Sequence, residues 1–157
     1  MEKIALFPGS FDPFTVGHQS IVERSLPLFD KIIIAVGFNT QKKALLSIEN
    51  RIRLISDVFK GNPRVEVRQY EGLTIEYCKK VKAQYLLRGL RTAADFEYER
   101  AIGQMNKAMN SNIETVFLLT SPEHTFVNST IVRDILFYGG DAAKFLPKNV
   151  NIKNYLS

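Results

Sequence analysis

The chain has a single cysteine, Cys78, and only two histidines, His18 and His124. One thiol cannot form an intramolecular disulfide, so a reducing, cytoplasmic compartment is expected. Cys78 lies in an amphipathic stretch and has no histidine near it in sequence, which favours burial over catalysis. No cysteine–histidine cluster has the spacing of a zinc site, and no protein-held metal is expected. No Ser–His–Asp arrangement can be assembled, so a nucleophile paired with its own base is not expected. No Gly-Lys-Ser/Thr follows a glycine-rich turn, which excludes a Walker loop, and the glycine spacing excludes the dinucleotide fingerprint. The apolar run at 32–38 is far too short to cross a bilayer, so no membrane partner is expected. The chain enters an apolar strand pattern almost at once, so no signal peptide is expected. No repeat, low-complexity segment or linker interrupts the 157 residues, and one domain over 1–157 is expected.

The composition is that of an ordinary soluble globular protein, with 45% hydrophobic and 24% charged residues. The net charge of +5 favours anionic partners without separating nucleic acid from small phosphates.

The stretch from Phe7 through Pro8, Gly9, Ser10, Phe11, Asp12, Pro13, Phe14, Thr15, Val16 and Gly17 to His18 is the most informative. It follows a short apolar run at 4–7, read as a buried strand. It precedes 19–29, where Ile21, Val22, Leu26 and Phe29 recur at helical spacing. Prolines, glycines, an aspartate and hydroxyls between them make a loop. A strand–loop–helix opening points backbone N–H groups at whatever sits over the helix start. His18 beside Gly17 places an imidazole donor in that site, where a glycine permits close approach of a ligand.

Further along, 31–36 reads as a second, doubly buried strand, and Ser47 as the cap of a helix carrying Ile48, Ile52, Ile55 and Phe59. Residues 65–70 alternate as a third strand, and 74–81 form a helix with Ile75, Cys78 and Val81 inward. Residues 85–87 make a fourth strand, which Arg88-Gly89-Leu90-Arg91 leave. A long helix at 95–109 has an apolar stripe of Tyr98, Ile102, Met105 and Met109, expected to be core. A fifth strand at 115–119, a loop at 120–128 and a helix at 129–138 closed by Gly139-Gly140 follow. Residues 145–156 are expected to pack as a cap around Pro147. This alternation predicts an α/β fold: a Rossmann-like, doubly wound, five-stranded parallel sheet with helices on both faces.

Such sheets bind ligands beyond the carboxyl ends of their strands. Ser10 and His18, Lys42, Thr74, Arg88 and Arg91, and Ser129 and Thr130 follow successive strands and share that rim. Two arginines three apart can fork around phosphate oxygens, or pair with Asp95 and Glu99 instead. Ser129 and Thr130 open a helix that attracts anions, or cap it. Glu99 is suited to ribose hydroxyls or to an ion pair. Transfer of a nucleotidyl group to an existing phosphate fits this inventory. The attacking oxygen is already anionic near neutral pH, so positioning and charge neutralisation suffice.

Thr15-x-Gly17-His18 beside Gly9-Ser10-Phe11-Asp12-Pro13 resembles the T/H-x-G-H nucleotidyltransferase superfamily. Lys42-Lys43, Arg88-Gly89-Leu90-Arg91-Thr92, Asp95-Phe96-Glu97-Tyr98-Glu99 and Met105-Asn106 narrow the resemblance to the phosphopantetheine adenylyltransferases, from end to end. That resemblance implies transfer of AMP from ATP to 4′-phosphopantetheine, giving dephospho-coenzyme A and pyrophosphate, with Mg2+ accompanying the ATP. It implies a homohexamer inhibited by coenzyme A. His18 would stabilise the transition state, aided by Lys42 and Arg91. ATP would meet Ser10, Phe11, His18, Gly89, Leu90, Arg91, Glu99, His124, Thr125, Phe126, Val127, Asn128, Ser129 and Thr130. Phosphopantetheine would meet Ser10, Lys42, Leu73, Thr74, Arg88, Ile102, Met105 and Asn106. The chain departs from the family pattern at Asn128, where a hydroxyl is usual, and at His124, where an aromatic residue is common. A same-fold enzyme with another acceptor, such as nicotinamide mononucleotide, is the nearest alternative. A non-catalytic nucleotide or RNA binder is disfavoured, since most aromatics fall on predicted core faces, and no nucleic-acid partner is expected.

Overall fold

In the computed structural model, residues 1–38 and 43–156 are described. Strand β1 (Ile4–Gly9) runs parallel to β2 (Lys31–Gly37), with Ile4 opposite Lys31 and Gly9 opposite Val36. The other elements are α1 (Val16–Ser25), α2 (Ile48–Val58), β3 (Val65–Tyr70), α3 (Thr74–Val81), β4 (Tyr85–Leu90), α4 (Ala93–Met109), β5 (Glu114–Leu119) and α5 (Ser129–Phe137). The five strands form one parallel sheet in the order β3-β2-β1-β4-β5.

Strand parity explains the two layers. Ala5, Phe7, Ile32, Ile34, Val36 and Leu87 face one way and pack against Val22 of α1 and Leu54 and Ile55 of α2. Leu6, Ile33, Ala35 and Leu86 face the other way, against Ile75 and Cys78 of α3. The isoleucine run of β2 is buried throughout because helices cover both faces. Ser47 caps α2, its hydroxyl accepting the Asn50 N–H at 3.2 Å. The C-terminal segment folds back as expected. Leu146 joins Val127, Val132 and Ala142 in a small core, and the Tyr155 hydroxyl donates to Asp57 of α2 at 2.6 Å.

Three expectations need correction. Strand β4 continues to Leu90, so Arg88 and Gly89 lie inside it rather than beyond it. Helix α1 runs from Val16 to Ser25 rather than over 19–29, which keeps His18 in its first turn as expected but makes Phe29 core contributed from beyond the helix. The stripe on α4 is not core: Tyr98, Ile102, Met105 and Met109 are all exposed, and the one buried residue of that helix is Glu99. Gly103 is what α4 presents to the sheet, so closely that a Cβ there would lie 3.4 Å from the Thr115 hydroxyl. Among the described residues, no helix is long and apolar enough to cross a membrane.

Candidate active site

Strand order reverses at β1, whose neighbours are β2 and β4. A crevice opens at the carboxyl end of such a switch point. Here it is a cleft of about 500 Å3 walled by the β1–α1 loop, β4, the start of α4 and the start of α5. A second cavity of about 290 Å3 shares Pro8, Gly9, Ser10, Arg88 and Glu99 with it and continues towards β3 and α4.

The loop between β1 and α1 holds the imidazole. Thr15 caps α1: its hydroxyl accepts the His18 N–H, and its own N–H donates to His18 Nδ1 at 3.0 Å. An Nδ1 that accepts carries no proton, so the neutral ring carries it on Nε2, the edge left without a protein partner among the described residues. Phe11 has a left-handed backbone, φ 50°, which lays its buried ring edge-on to the imidazole at 5.0 Å. Phe14 lies at 5.3 Å and Phe7 at 6.4 Å. Desolvation among these rings, followed by the charges of Arg91 and Arg88, drives the His18 pKa down from 6.5 to about 3. His18 is therefore a neutral donor at physiological pH. The Asp12 carboxylate, 5% exposed, accepts the N–H groups of Leu45 and Leu46 at 2.9 and 2.8 Å. It thereby braces the chain that follows Lys42, a residue that itself lies outside the described ones.

Strand β4 and the turn after it supply the cations, and helix α4 their carboxylate partners. Arg88 grips Glu99 through two bonds, Nε to Oε2 at 2.9 Å and Nη2 to Oε1 at 2.6 Å, and donates from Nη1 to the Pro8 carbonyl at 2.7 Å. Arg91 donates from its backbone and its Nε to Asp95 at 3.1 and 3.2 Å, while Thr92 caps α4. Ion pairing and ligand binding are thus compatible. A guanidinium has five N–H groups, and in both arginines some remain beyond those bonded to Glu99, Pro8 and Asp95. Glu99 is the carboxylate that keeps the buried end of Arg88 neutralised.

Helix α5 is capped by neither Ser129 nor Thr130. Asn128 does this, its side-chain oxygen accepting the N–H groups of Thr130 at 2.8 Å and Ile131 at 3.3 Å. An amide oxygen caps as well as a hydroxyl, so Asn128 fills the position structurally. The Ser129 hydroxyl reaches across to the Pro13 carbonyl at 3.1 Å.

The fold brings most of the expected residues together. Ser10, Phe11, His18, Gly89, Arg91, Glu99, His124, Val127, Asn128, Ser129 and Thr130 all line the larger cleft. Thr74, Arg88, Ile102 and Asn106 line the smaller one with Ser10. Leu90, Thr125, Phe126 and Met105 line neither in the single chain. Leu90 is buried, Phe126 packs on Phe145 at 6.1 Å, and Met105 is exposed. Leu73 borders a shallow open depression beside Tyr70 and Lys80. Tyr70 was not anticipated. It stands at the carboxyl end of β3, its hydroxyl 3.0 Å from that of Thr74, inside the smaller cavity. Its place at a strand end was the one available signal. Among the described residues no group of three or more His, Cys, Asp or Glu could hold a metal.

The parallel sheet and this loop-and-helix site define a nucleotidyltransferase, and the family model described as cytidylyltransferase-like matches residues 6–135. Phosphopantetheine adenylyltransferase from Flavobacterium psychrophilum is 53% identical over 95% of this chain and 98% of its own length. Those of Cytophaga hutchinsonii and Bacteroides thetaiotaomicron are 51% and 47% identical, over 96% and 94% of this chain and 100% and 97% of theirs. The chain belongs to the cytidylyltransferase-like family and, within it, to the phosphopantetheine adenylyltransferases. Among solved structures, a protein provisionally assigned as a nicotinate-nucleotide adenylyltransferase from Vibrio parahaemolyticus superposes with a TM-score of 0.71 at 23% identity, covering 95% of this chain and 96% of that one. A bifunctional NMN adenylyltransferase/ADP ribose pyrophosphatase from Francisella tularensis, complexed with AMP and Mn ion, gives 0.70 at 18% identity, covering 97% of this chain and 46% of that one. At such identities the likeness is one of fold alone.

Proposed function

We propose that this chain transfers AMP from ATP to 4′-phosphopantetheine, yielding dephospho-coenzyme A and pyrophosphate in coenzyme A synthesis. One observation carries the reading beyond family membership: two cavities meet at Ser10 and Arg88, one under the phosphate-binding loop and one running along α4 past Ile102 and Asn106. ATP occupies the larger cavity and the pantetheine arm the smaller, so that the two phosphates face each other at the junction.

A phosphate oxygen of the acceptor attacks the α-phosphorus, and the bond from that phosphorus to the bridging oxygen of the β-phosphate breaks. Pyrophosphate leaves with the electron pair. Negative charge grows on the non-bridging α-oxygens, where the Nε2–H of His18 donates. A donor fixed before the reaction helps the transition state more than the ground state. Arg88 holds the acceptor phosphate with the N–H groups that Glu99 and Pro8 leave free, together with Lys42. Arg91 and the first turn of α5 hold the triphosphate. Mg2+ would accompany the ATP, which suits an ion that keeps its waters and a cleft where no carboxylate cluster occurs among the described residues.

We take residues 1–157 as one cytoplasmic nucleotidyltransferase domain that assembles as a homohexamer, with coenzyme A as feedback inhibitor and no nucleic-acid or membrane partner. The exposed apolar stripe of α4 supports assembly. Coenzyme A shares its pantetheine and adenylate parts with the product, so it competes for the same two cavities. Pyrophosphate release from ATP, measured with phosphopantetheine, with nicotinamide mononucleotide and with neither, tests the reading. Release with phosphopantetheine alone is expected. Release with nicotinamide mononucleotide instead would assign a different acceptor.

A further inference from the structure

The loop from Ser10 to Pro13 is held from behind by three side chains distant in sequence. Arg51 of α2 donates to the Ser10 carbonyl at 2.8 Å. Arg133 of α5 donates to the Asp12 carbonyl at 2.8 Å, and the same Nη1 lies 3.8 Å from the Asp12 carboxylate. The Ser129 hydroxyl donates to the Pro13 carbonyl. Ser129 and Arg133 are four apart on α5 and so share one helical face. That face grips two consecutive residues of the loop.

The gripped loop includes Phe11, whose left-handed backbone is one that a non-glycine residue keeps only where its surroundings over-determine it. The ring this conformation delivers is the wall of the imidazole, and Thr15, two residues past Pro13, supplies the N–H that selects its tautomer. The Arg133 guanidinium therefore ties the loop that leads into one half of the nucleotide site to the helix that forms the other. One half is the first turn of α1 with His18; the other is the first turn of α5 with Asn128 and Thr130. Its Nη2 also reaches the Thr130 hydroxyl, at 3.4 Å.

We propose that Arg133 is a positioning residue for the transfer: by clamping α5 to Asp12 it sets the spacing between His18 and the helix terminus that receives the triphosphate. The proposal rests on the adenylyl-transfer reading above. ATP can bind to either half with the spacing relaxed, but the α-phosphate meets His18 only when the spacing is kept. Loss of the clamp should therefore lower kcat far more than it weakens ATP binding.

The test compares Arg133→Met and Arg133→Lys. Arg133→Met is expected to lower kcat by about ten- to a hundredfold, the range expected when a reacting group is displaced by up to an ångström. The Kd for ATP should stay within a few-fold of wild type. Arg133→Lys, which can still reach the Asp12 carbonyl, should restore most of kcat. A spectroscopic readout separates positioning from mere stability. With only two histidines in the chain, the imidazole 15N signals of His18 are separable from those of His124. In wild type they should be those of an Nε2–H tautomer, and in Arg133→Met they should shift as the Phe11 ring wall relaxes. Should Arg133→Met not fold, Arg133→Gln, which keeps one donor but not the fork, carries the same comparison. Wild-type turnover with an unchanged His18 spectrum in a folded variant overturns the proposal. So does a fall in kcat matched by an equal loss of ATP affinity, which would make Arg133 a direct contact to substrate. The spectra need no substrate, so they judge the clamp even if phosphopantetheine proves not to be the acceptor.

Discussion

The backbone N–H of Thr15 donates to Nδ1 of His18 at 3.0 Å, and this one bond decides which ring nitrogen can act on a substrate. It arises within a helix cap of three-residue span, so it needs no ligand to form. Removing the imidazole should leave the cleft able to bind ATP through Arg91 and α5. His18→Ala is expected to lower turnover by roughly 10²–10³, the usual effect of losing one transition-state donor. Single-turnover rates beside direct ATP binding check this. A parallel fall in turnover and affinity would make His18 a ground-state binding residue.

The depressed pKa of His18 has a sign that can be worked through. The unfolded chain takes up a proton near pH 6.5, and the folded one only near pH 3. Between these values the unfolded state binds more protons, so folding stability is complete above pH 6.5 and falls as pH drops towards 3. His18 contributes at most about 1.4 kcal/mol per pH unit in that window. Urea midpoints from pH 7 to pH 4 should fall with a slope that His18→Asn reduces.

Arg88 and Glu99 form a two-bond pair in which the carboxylate is the more deeply buried partner. Arg88→Ala should therefore do two things. It should weaken phosphopantetheine use by about 1.5–3 kcal/mol, the worth of charged hydrogen bonds. It should also destabilise the fold, because Glu99 is left without its partner. Lys42→Ala should show the first effect. Acceptor KM values and thermal melts separate the variants, and Arg88→Ala combined with Glu99→Gln should recover part of the stability.

Gly9 has no room for a side chain. A Cβ there would lie 2.8 Å from the tip of the Phe11 ring, which is buried and flanked by Phe7, Phe14 and His18. Gly9→Ala should displace that ring at an overpacking cost of about 1–3 kcal/mol. The imidazole loses its wall, so turnover should fall as well. Circular-dichroism melts and initial rates on the same preparation report both.

Met105 and Met109, the part of the α4 stripe that lines neither cavity, are expected to be covered by further copies of the chain. Multi-angle light scattering should give a hexamer at micromolar concentration. Met105→Glu should shift it to smaller species. A wild-type monomer would remove the assembly without touching the chemistry.

Much of the fold follows from local pattern. Apolar runs at 4–7 and 31–36 and the alternation at 65–70 mark strands because side-chain period and burial are properties of neighbouring residues, and the succession of strands and helices leaves a parallel sheet. Parallel strands put all their carboxyl ends on one edge, so Ser10, His18, Thr74 and Arg88 were bound to share a rim before any contact was known. The cap between Thr15 and His18 is of the same local kind. What periodicity cannot say is whether an apolar stripe meets protein or solvent, and on α4 the side turned to the sheet is that of Glu99 and Gly103 instead. Nor can it pair groups far apart in the chain. Arg51 finds the Ser10 carbonyl 41 residues away, and Arg133 finds Asp12 across 121. Those bonds depend on where α2 and α5 come to rest after the core has closed. The sequence alone determined which residues reach the rim, and the tertiary structure decided which of them are free to touch a substrate, because a buried donor or acceptor takes whichever partner the packing brings within about 3 Å.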